Sequence, residues 1–222
     1  MDLLIPNLNI LPKPQLKLWE ELYNTPQYFI LYGGTAIALR LGHRVSIDFD
    51  FFSSNEFDPE QLYREIPYLK DSIILQQTTN TLTCRIEREG EVLVSFFGGL
   101  NIGQVCFPSL VASNQIHVAS LQDLAGTKAA VIQKRVELKD YLDIDALVTM
   151  GKINLETILA CGQAVYGNSF NPYITLKAVC YFDEPELKNL DPEIKKRLKK
   201  LVENLDMEKL SKLEAKKLGA LK

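Results

Sequence analysis

Two glycines and two aspartates, Gly33-Gly34 and Asp48-Phe49-Asp50, lie close together in the chain and are the residues best suited to chemistry. A glycine pair lets backbone N–H groups approach a ligand, because no side chain stands in the way. A helix opening there adds N-terminal donors and partial positive charge, which suit phosphate. Ile47, Phe49 and Phe51 alternate with Asp48 and Asp50, so the spacing predicts a strand with both carboxylates on one face. Neighbouring carboxylates repel each other, and burying them unpaired is costly. A divalent cation relieves both problems, and Mg²⁺ takes one or two carboxylates together with substrate phosphates. The stretch therefore points to metal plus phosphate, the requirements of phosphoryl and nucleotidyl transfer. Gly33, Gly34 and Thr35 are candidates to hold a triphosphate through backbone donors and one hydroxyl. Arg40 and Arg44 flank the segment, placed to reach phosphates or to form surface pairs. The plainer readings are a strand-to-helix turn for the glycines and a solvated strand face for the aspartates.

The surrounding elements must position these residues. Leu16, Leu18, Trp19 and Leu22 predict a short helix over residues 15–23, and residues 28–32 a first strand. A helix over 35–41 stops at Gly42, and residues 45–52 form the strand carrying both aspartates. Asp58-Pro59-Glu60-Gln61 reads as a cap, a proline at the first helical position and a capping-box glutamine, opening a helix to about Ile66. Strands follow over 73–77, 82–88 and 92–97, with Gly90 in the last hairpin turn. From Ser120 the pattern becomes helical, beginning with the capping box Ser120-Leu121-Gln122-Asp123. Leu121, Leu124, Ala125, Lys128, Val131, Ile132 and Arg135 share one face of that helix. A charge at Lys128 on so apolar a face needs a partner, and a structural ion pair with Asp140 or Asp143 would provide one. Asp140 and Asp143 share a face of the next helix, over 140–150. Helices over 155–165 and 173–181 and two lysine-rich helices after Pro192 complete the chain. The order is a mixed α/β part over 1–118 followed by an all-helical part over 119–222.

The chain's 222 residues suffice for one domain or two small ones with a substantial core. No apolar run reaches the roughly 20 residues that span a bilayer, and the first residues lack the basic-then-apolar order of a secretory signal. Cys84, Cys106, Cys161 and Cys180 are scattered, and His43 and His117 are the only histidines, so a zinc site is not expected. Reduced thiols and a cytoplasmic location are expected instead. His43, beyond a helix end, and His117, in a short strand, read as structural. Residues 186–222 carry a net +4, against −7 for the rest of the chain. A basic segment of that kind suits either a polyanion such as RNA or a solvated helix face.

The run Gly-Gly-Thr-Ala-Ile-Ala-Leu-Arg-Leu-Gly-His-Arg (33–44) followed by Asp-Phe-Asp-Phe-Phe (48–52) resembles the AbiEii/AbiGii toxin-like nucleotidyltransferases, members of the DNA polymerase β-type superfamily. The segment 119–130, which contains Lys128, is similar to that family's lysine helix, with Arg135 closing the motif. Lys139-Asp140-Tyr141-Leu142-Asp143 looks like its KDxxD motif, and residues 181–186 resemble its later helical region. The resemblance implies an α+β fold: a nucleotidyltransferase core built on a small mixed sheet, and a helical C-terminal region completing the active-site cleft. It implies that Asp48 and Asp50 ligate Mg²⁺ or Mn²⁺ and that Gly34 and Thr35 contact nucleotide phosphates. It further implies that Lys128 touches a phosphate or acts as a general acid, and that Asp143 is an essential carboxylate, a base or an orienter of Lys128. Many polymerase β-type enzymes carry a third strand carboxylate; here Ser95 stands in the matching slot of Val92-Leu93-Val94-Ser95-Phe96.

Three functions follow as expectations. The first is an Mg²⁺-dependent transfer of NMP from NTP to a hydroxyl of RNA (tRNA) or protein, restrained by a cognate antitoxin. The second, motivated by Ser95, is a catalytically degenerate nucleotide-binding module. The third is a protein that binds RNA or a partner through its basic C-terminal helices.

Overall fold

Alternating apolar residues build a mixed eight-stranded sheet in the computed structural model, which describes residues 2–221. Contacts divide the chain into two units. The first holds residues 2–102, Phe107–Ser120 and 217–221; the second holds Gly103–Cys106 and Leu121–Lys216.

In the first unit the strands are β1 (Leu3–Leu4), β2 (Ile30–Tyr32), β3 (Asp48–Phe52), β4 (Ile73–Thr78), β5 (Thr81–Glu87) and β6 (Glu91–Phe97). The short β7 (Gly103–Gln104) lies in the second unit, and β8 (Ser109–Val111) and β9 (His117–Val118) return to the sheet. The sheet order is β1-β8-β9-β2-β3-β6-β5-β4. β3 runs antiparallel to β2 and parallel to β6, which places Asp50 opposite Tyr32 on one side and Ser95 on the other. Phe49, Phe51, Val92, Val94 and Phe96 are buried on one face of these strands, with Phe51 and Phe96 stacked at 5.3 Å. Helix α1 (Lys13–Glu21) packs against β6 and buries Leu18 and Trp19. Asp48, Asp50, Leu93 and Ser95 alternate with the buried residues and lie half-exposed on the opposite face.

Helix α2 spans Gly33–Leu41, and its C-cap Gly42 has a left-handed conformation. The helix thus begins directly at the glycine pair, two residues before its expected start. α3 (Pro59–Glu65) is capped as the sequence predicts: the Asp58 carboxylate accepts from the Glu60 N–H at 2.9 Å. Gln61 instead donates to Glu65 at 2.6 Å.

The expected strand start at Val45 is not observed. Ser46 donates its N–H to the Ile10 carbonyl and its hydroxyl pairs with Thr35 at 2.7 Å, so residues 45–47 stay outside the sheet ladder.

The second unit contains α4 (Leu121–Val131), α5 (Leu138–Thr149), α6 (Leu155–Tyr166), α7 (Pro172–Val179) and α8 (Pro192–Glu203). Ile132, Tyr141, Ile144, Val179, Leu187, Leu190 and Leu198 form one buried cluster. α4 and α6 approach closely at Gly126, where an added Cβ would sit 2.8 Å from the Cys161 backbone. Glycine is needed there because any side chain would push the two helices apart. Arg197 fastens α8 to α5 through a bidentate pair with Asp145 at 2.6 and 2.9 Å.

Two details differ from the sequence pattern. Arg135 lies beyond the end of α4 rather than on its face. Only one lysine-rich helix forms after Pro192 among the described residues. Beyond it come a 3-10 turn at Met207–Lys209 and a two-residue strand at Lys216–Lys217. The physical reason is anchoring: Leu218 is buried and its carbonyl accepts from Ser54 at 2.8 Å, so the chain there is held extended by the first unit.

Candidate active site

Gly33 opens α2 in a left-handed conformation. Its φ is +74°, and an added Cβ would lie 2.6 Å from the Asp50 Oδ2 atom. The left-handed φ favours glycine, and the close approach sets the start of α2 beside the Asp50 carboxylate. The N–H groups of that first turn have no intrahelical acceptors, and their partial positive charge favours an anion. Asp48 and Asp50 project from the same face of β3, two residues and about 6.7 Å of strand apart. Among the described residues no third His, Cys, Asp or Glu joins them in a metal-binding group. The donor set nevertheless suits Mg²⁺ or Mn²⁺, which commonly complete their coordination with substrate phosphates and water.

Ser95 occupies the place beside Asp50, as the sequence alignment of strands predicts. Its hydroxyl accepts from Thr83 on β5 at 3.3 Å. A neutral hydroxyl there does not replace an anionic ligand, so the strand site has two carboxylates.

Thr35 and Arg40 both have partners within the protein. Thr35 is buried, and its hydroxyl bonds to the Asp48 carbonyl and to Ser46. It thereby ties the first turn of α2 to the start of β3. Arg40 donates to the carbonyls of Ala119 at 2.7 Å and Val118 at 3.0 Å and to the Ser109 hydroxyl at 3.0 Å. Its guanidinium is the tie between α2 and strands β8 and β9, which defines a structural role. Arg44 donates to the Val45 carbonyl at 3.0 Å. Gln15 is a positioning residue that motif reading missed: its amide donates to the carbonyls of Ile47 and Glu91 at 3.2 and 3.3 Å, fixing the start of β3 beside β6. A polar residue at i of the apolar series Leu18, Trp19 and Leu22 was the available signal.

The second unit holds a separate buried charge cluster. Lys128 Nζ lies 2.7 Å from Asp140 Oδ1 and 2.8 Å from Asp143 Oδ2, and all three side chains are buried. Arg135 adds bonds of 3.0 and 3.2 Å to Asp140 and pairs with Glu137 at 3.0 Å. Lys128 therefore pairs with both aspartates, one helical turn apart on α5, and not with one alone. Asp123 accepts from the N–H groups of Val105 and Cys106 at 2.6 and 3.1 Å, which secures β7 to the start of α4. The structure thus brings Gly33 to Asp50 in the first unit, and Lys128 to Asp140 and Asp143 in the second.

His43 and His117 lie outside both clusters. His117 is buried in β9, and burial lowers its imidazole below the ordinary value. Burial likewise pushes the Cys161 thiol up to about 12.

A profile of the family described as nucleotidyl transferase AbiEii toxin, type IV TA system, matches residues 18–216. The chain belongs to the AbiEii family. An uncharacterized protein of Aquifex aeolicus (strain VF5) is 29% identical over 193 residues, spanning 79% of this chain and 89% of that protein. Two solved structures share the fold. MenT4, a nucleotidyltransferase toxin of Mycobacterium tuberculosis H37Rv, superimposes with a TM-score of 0.57 at 14% identity, covering 86% of this chain and 84% of its own. A candidate nucleotidyltransferase from H. pylori gives 0.53 at 16% identity, covering 84% and 90%. The chain is thus an AbiEii-family protein with a nucleotidyltransferase fold. Among the described residues no helix is long and apolar enough to cross a membrane.

Proposed function

We propose that this AbiEii-family chain transfers a nucleoside monophosphate from an NTP to a hydroxyl of RNA, such as tRNA, or of a protein side chain. It would do so in the cytoplasm, under restraint by a cognate antitoxin. The observation that supports this reading most strongly is the pair Asp48 and Asp50 on one half-exposed strand face, with the start of α2 backed against Asp50 at Gly33. Asp48 and Asp50 would hold Mg²⁺ or Mn²⁺, whose charge neutralises triphosphate oxygens as they gain negative charge. The first-turn N–H groups of α2, Gly34 among them, would bind a phosphate. Within the second unit, Lys128 would serve as the partner of Asp140 and Asp143, at 2.7 and 2.8 Å. In the reaction the acceptor oxygen bonds to the α-phosphorus while the bond to the bridging oxygen breaks. Pyrophosphate leaves, and the hydroxyl proton passes to solvent. Binding of NTP without turnover is the second reading, favoured by Ser95 beside Asp50.

The test incubates purified protein with Mg²⁺, total RNA or lysate protein, and each NTP labelled at the α- or the γ-phosphate. The expected result is acceptor labelling from the α position alone, abolished in Asp48→Ala. Labelling that survives Asp48→Ala overturns the proposal. Absence of any labelling, with NTP binding that Asp50→Ala weakens, establishes the second reading in its place.

A further inference from the structure

The two edges of the sheet are finished differently. β1 closes one edge with two residues, a short strand of the kind that discourages further pairing. β4 closes the other with six residues, Ile73-Ile74-Leu75-Gln76-Gln77-Thr78, and no strand lies beyond it among the described residues. All six are exposed, including Ile73 at 54%, Ile74 at 40% and Leu75 at 50%. The strand contains neither a charged residue nor a proline, two of the usual means of blocking an edge, and its one irregularity lies between Ile74 and Gln76. Its outer backbone groups form a template for another strand.

We propose that β4 pairs antiparallel with β4 of a second copy of this chain, joining two sheets into one. The strand's own chemistry points to that occupant. A charged partner strand would find no complementary charge on β4, whereas a second β4 brings an equally neutral edge of equal length. Centring the two-fold axis on Ile74 sets Ile74 opposite its symmetry mate and Ile73 opposite Leu75 of the other copy. Six exposed aliphatic side chains then cover one another. Pairing stops there, because Ser72 already gives its N–H to the Leu69 carbonyl, its own carbonyl accepts from Tyr63, and Asp71 has a φ of +64°. A closed two-fold pairing uses the edge in both copies and ends the assembly at a dimer. The ladder is irregular between Ile74 and Gln76, which leaves Leu75 without a partner on β5 and accessible to the incoming strand. A six-residue edge is small beside a standard interface, so the dimer is weak and depends on concentration.

The proposal is independent of the transferase reading and needs no substrate to test. Sedimentation of the full chain up to about 100 μM should show a reversible doubling of mass. Over the same range, hydrogen exchange should slow at the amides of residues 73–75. Ile73→Lys and Leu75→Lys, at positions already half in water, should each keep the native circular dichroism and stay monomeric. A wild-type chain that is monomeric throughout, with β4 amides exchanging at a constant rate, overturns the proposal. So does a dimer that persists unchanged in both lysine variants or forms with no protection at 73–75.

Discussion

Replacing Lys128 by methionine removes a buried charge while nearly keeping its volume, and its cost follows from the cluster around it. Lys128 Nζ is held at 2.7 Å by Asp140 and 2.8 Å by Asp143, both fully buried. Breaking a buried ion pair by removing one partner costs about 3–5 kcal/mol, because the remaining charge stays in a low-dielectric site. Arg135 continues to serve Asp140 at 3.0 and 3.2 Å, so the lower end, about 3 kcal/mol, is expected. For a chain of this size that loss lowers Tm by about 6–12 °C. The damage should be local to the helical unit. Trp19, the sole tryptophan, belongs to the first unit, so its fluorescence reports the sheet, and hydrogen exchange at α4 and α5 reports the cluster. The expected result is faster exchange in α4 and α5 at low denaturant while Trp19 emission stays native. Asp143→Asn should also cost at least about 1 kcal/mol less in the Lys128→Met background than in the wild type, since the two residues share one interaction. A Lys128→Met chain within about 0.5 kcal/mol of wild type, or strict additivity with Asp143→Asn, would refute the reasoning.

Three other substitutions follow from the geometry. Arg40→Met removes three hydrogen bonds to Ser109, Val118 and Ala119 and should destabilise by roughly 2–4 kcal/mol in urea, with the KM for NTP unchanged in the surviving folded protein; a raised KM at native stability would return Arg40 to the nucleotide site. Gly33→Ala imposes a left-handed alanine, costing about 1–2 kcal/mol, and its Cβ, 2.6 Å from Asp50 Oδ2, pushes that carboxylate aside; label transfer should fall at least about tenfold, and wild-type transfer would contradict the packing. Burial holds the His117 imidazole below its ordinary 6.5, so the unfolded chain takes up a proton that the folded one resists. That contribution is complete above about pH 6.5 and is lost progressively below it, and His117→Gln should flatten the fall in stability below about pH 6.5, whereas an unchanged profile would show that another group carries it.

Most of the chain's elements were legible because local chemistry and tertiary packing agree in them. Asp58-Pro59 supplies a cap and a preset first turn, so α3 begins where the sequence says. Ile47-Asp48-Phe49-Asp50-Phe51 alternates because one face of β3 is core and the other is not. Disagreement arose where a distant partner decided the outcome. Residues 45–47 alternate as a strand should, but Ile10, Gln15 and Thr35 take their polar groups. Residues 205–217 have the composition of a helix, yet the chain runs on to Leu218, which is buried and held extended. Arg40 sat among candidate phosphate ligands by proximity in sequence, and only the return of β8 and β9 to the sheet shows the carbonyls it serves. The partners of Thr35 were not legible either, since a hydroxyl in the first turn of a helix bonds as readily to a neighbouring strand as to a ligand. Lys128 was legible as a charge needing a partner; that it has two became visible only once α4 and α5 were placed.

The claim on which the account turns is that Asp48 and Asp50 together hold the metal that serves the nucleotide. Mn²⁺ binding followed by electron paramagnetic resonance, with a non-hydrolysable NTP analogue present, tests it without relying on turnover. The account predicts tight Mn²⁺ binding in the wild-type ternary complex, weakened at least about tenfold in both Asp48→Asn and Asp50→Asn, with native circular dichroism in each. Mn²⁺ binding of wild-type strength in either variant would contradict it.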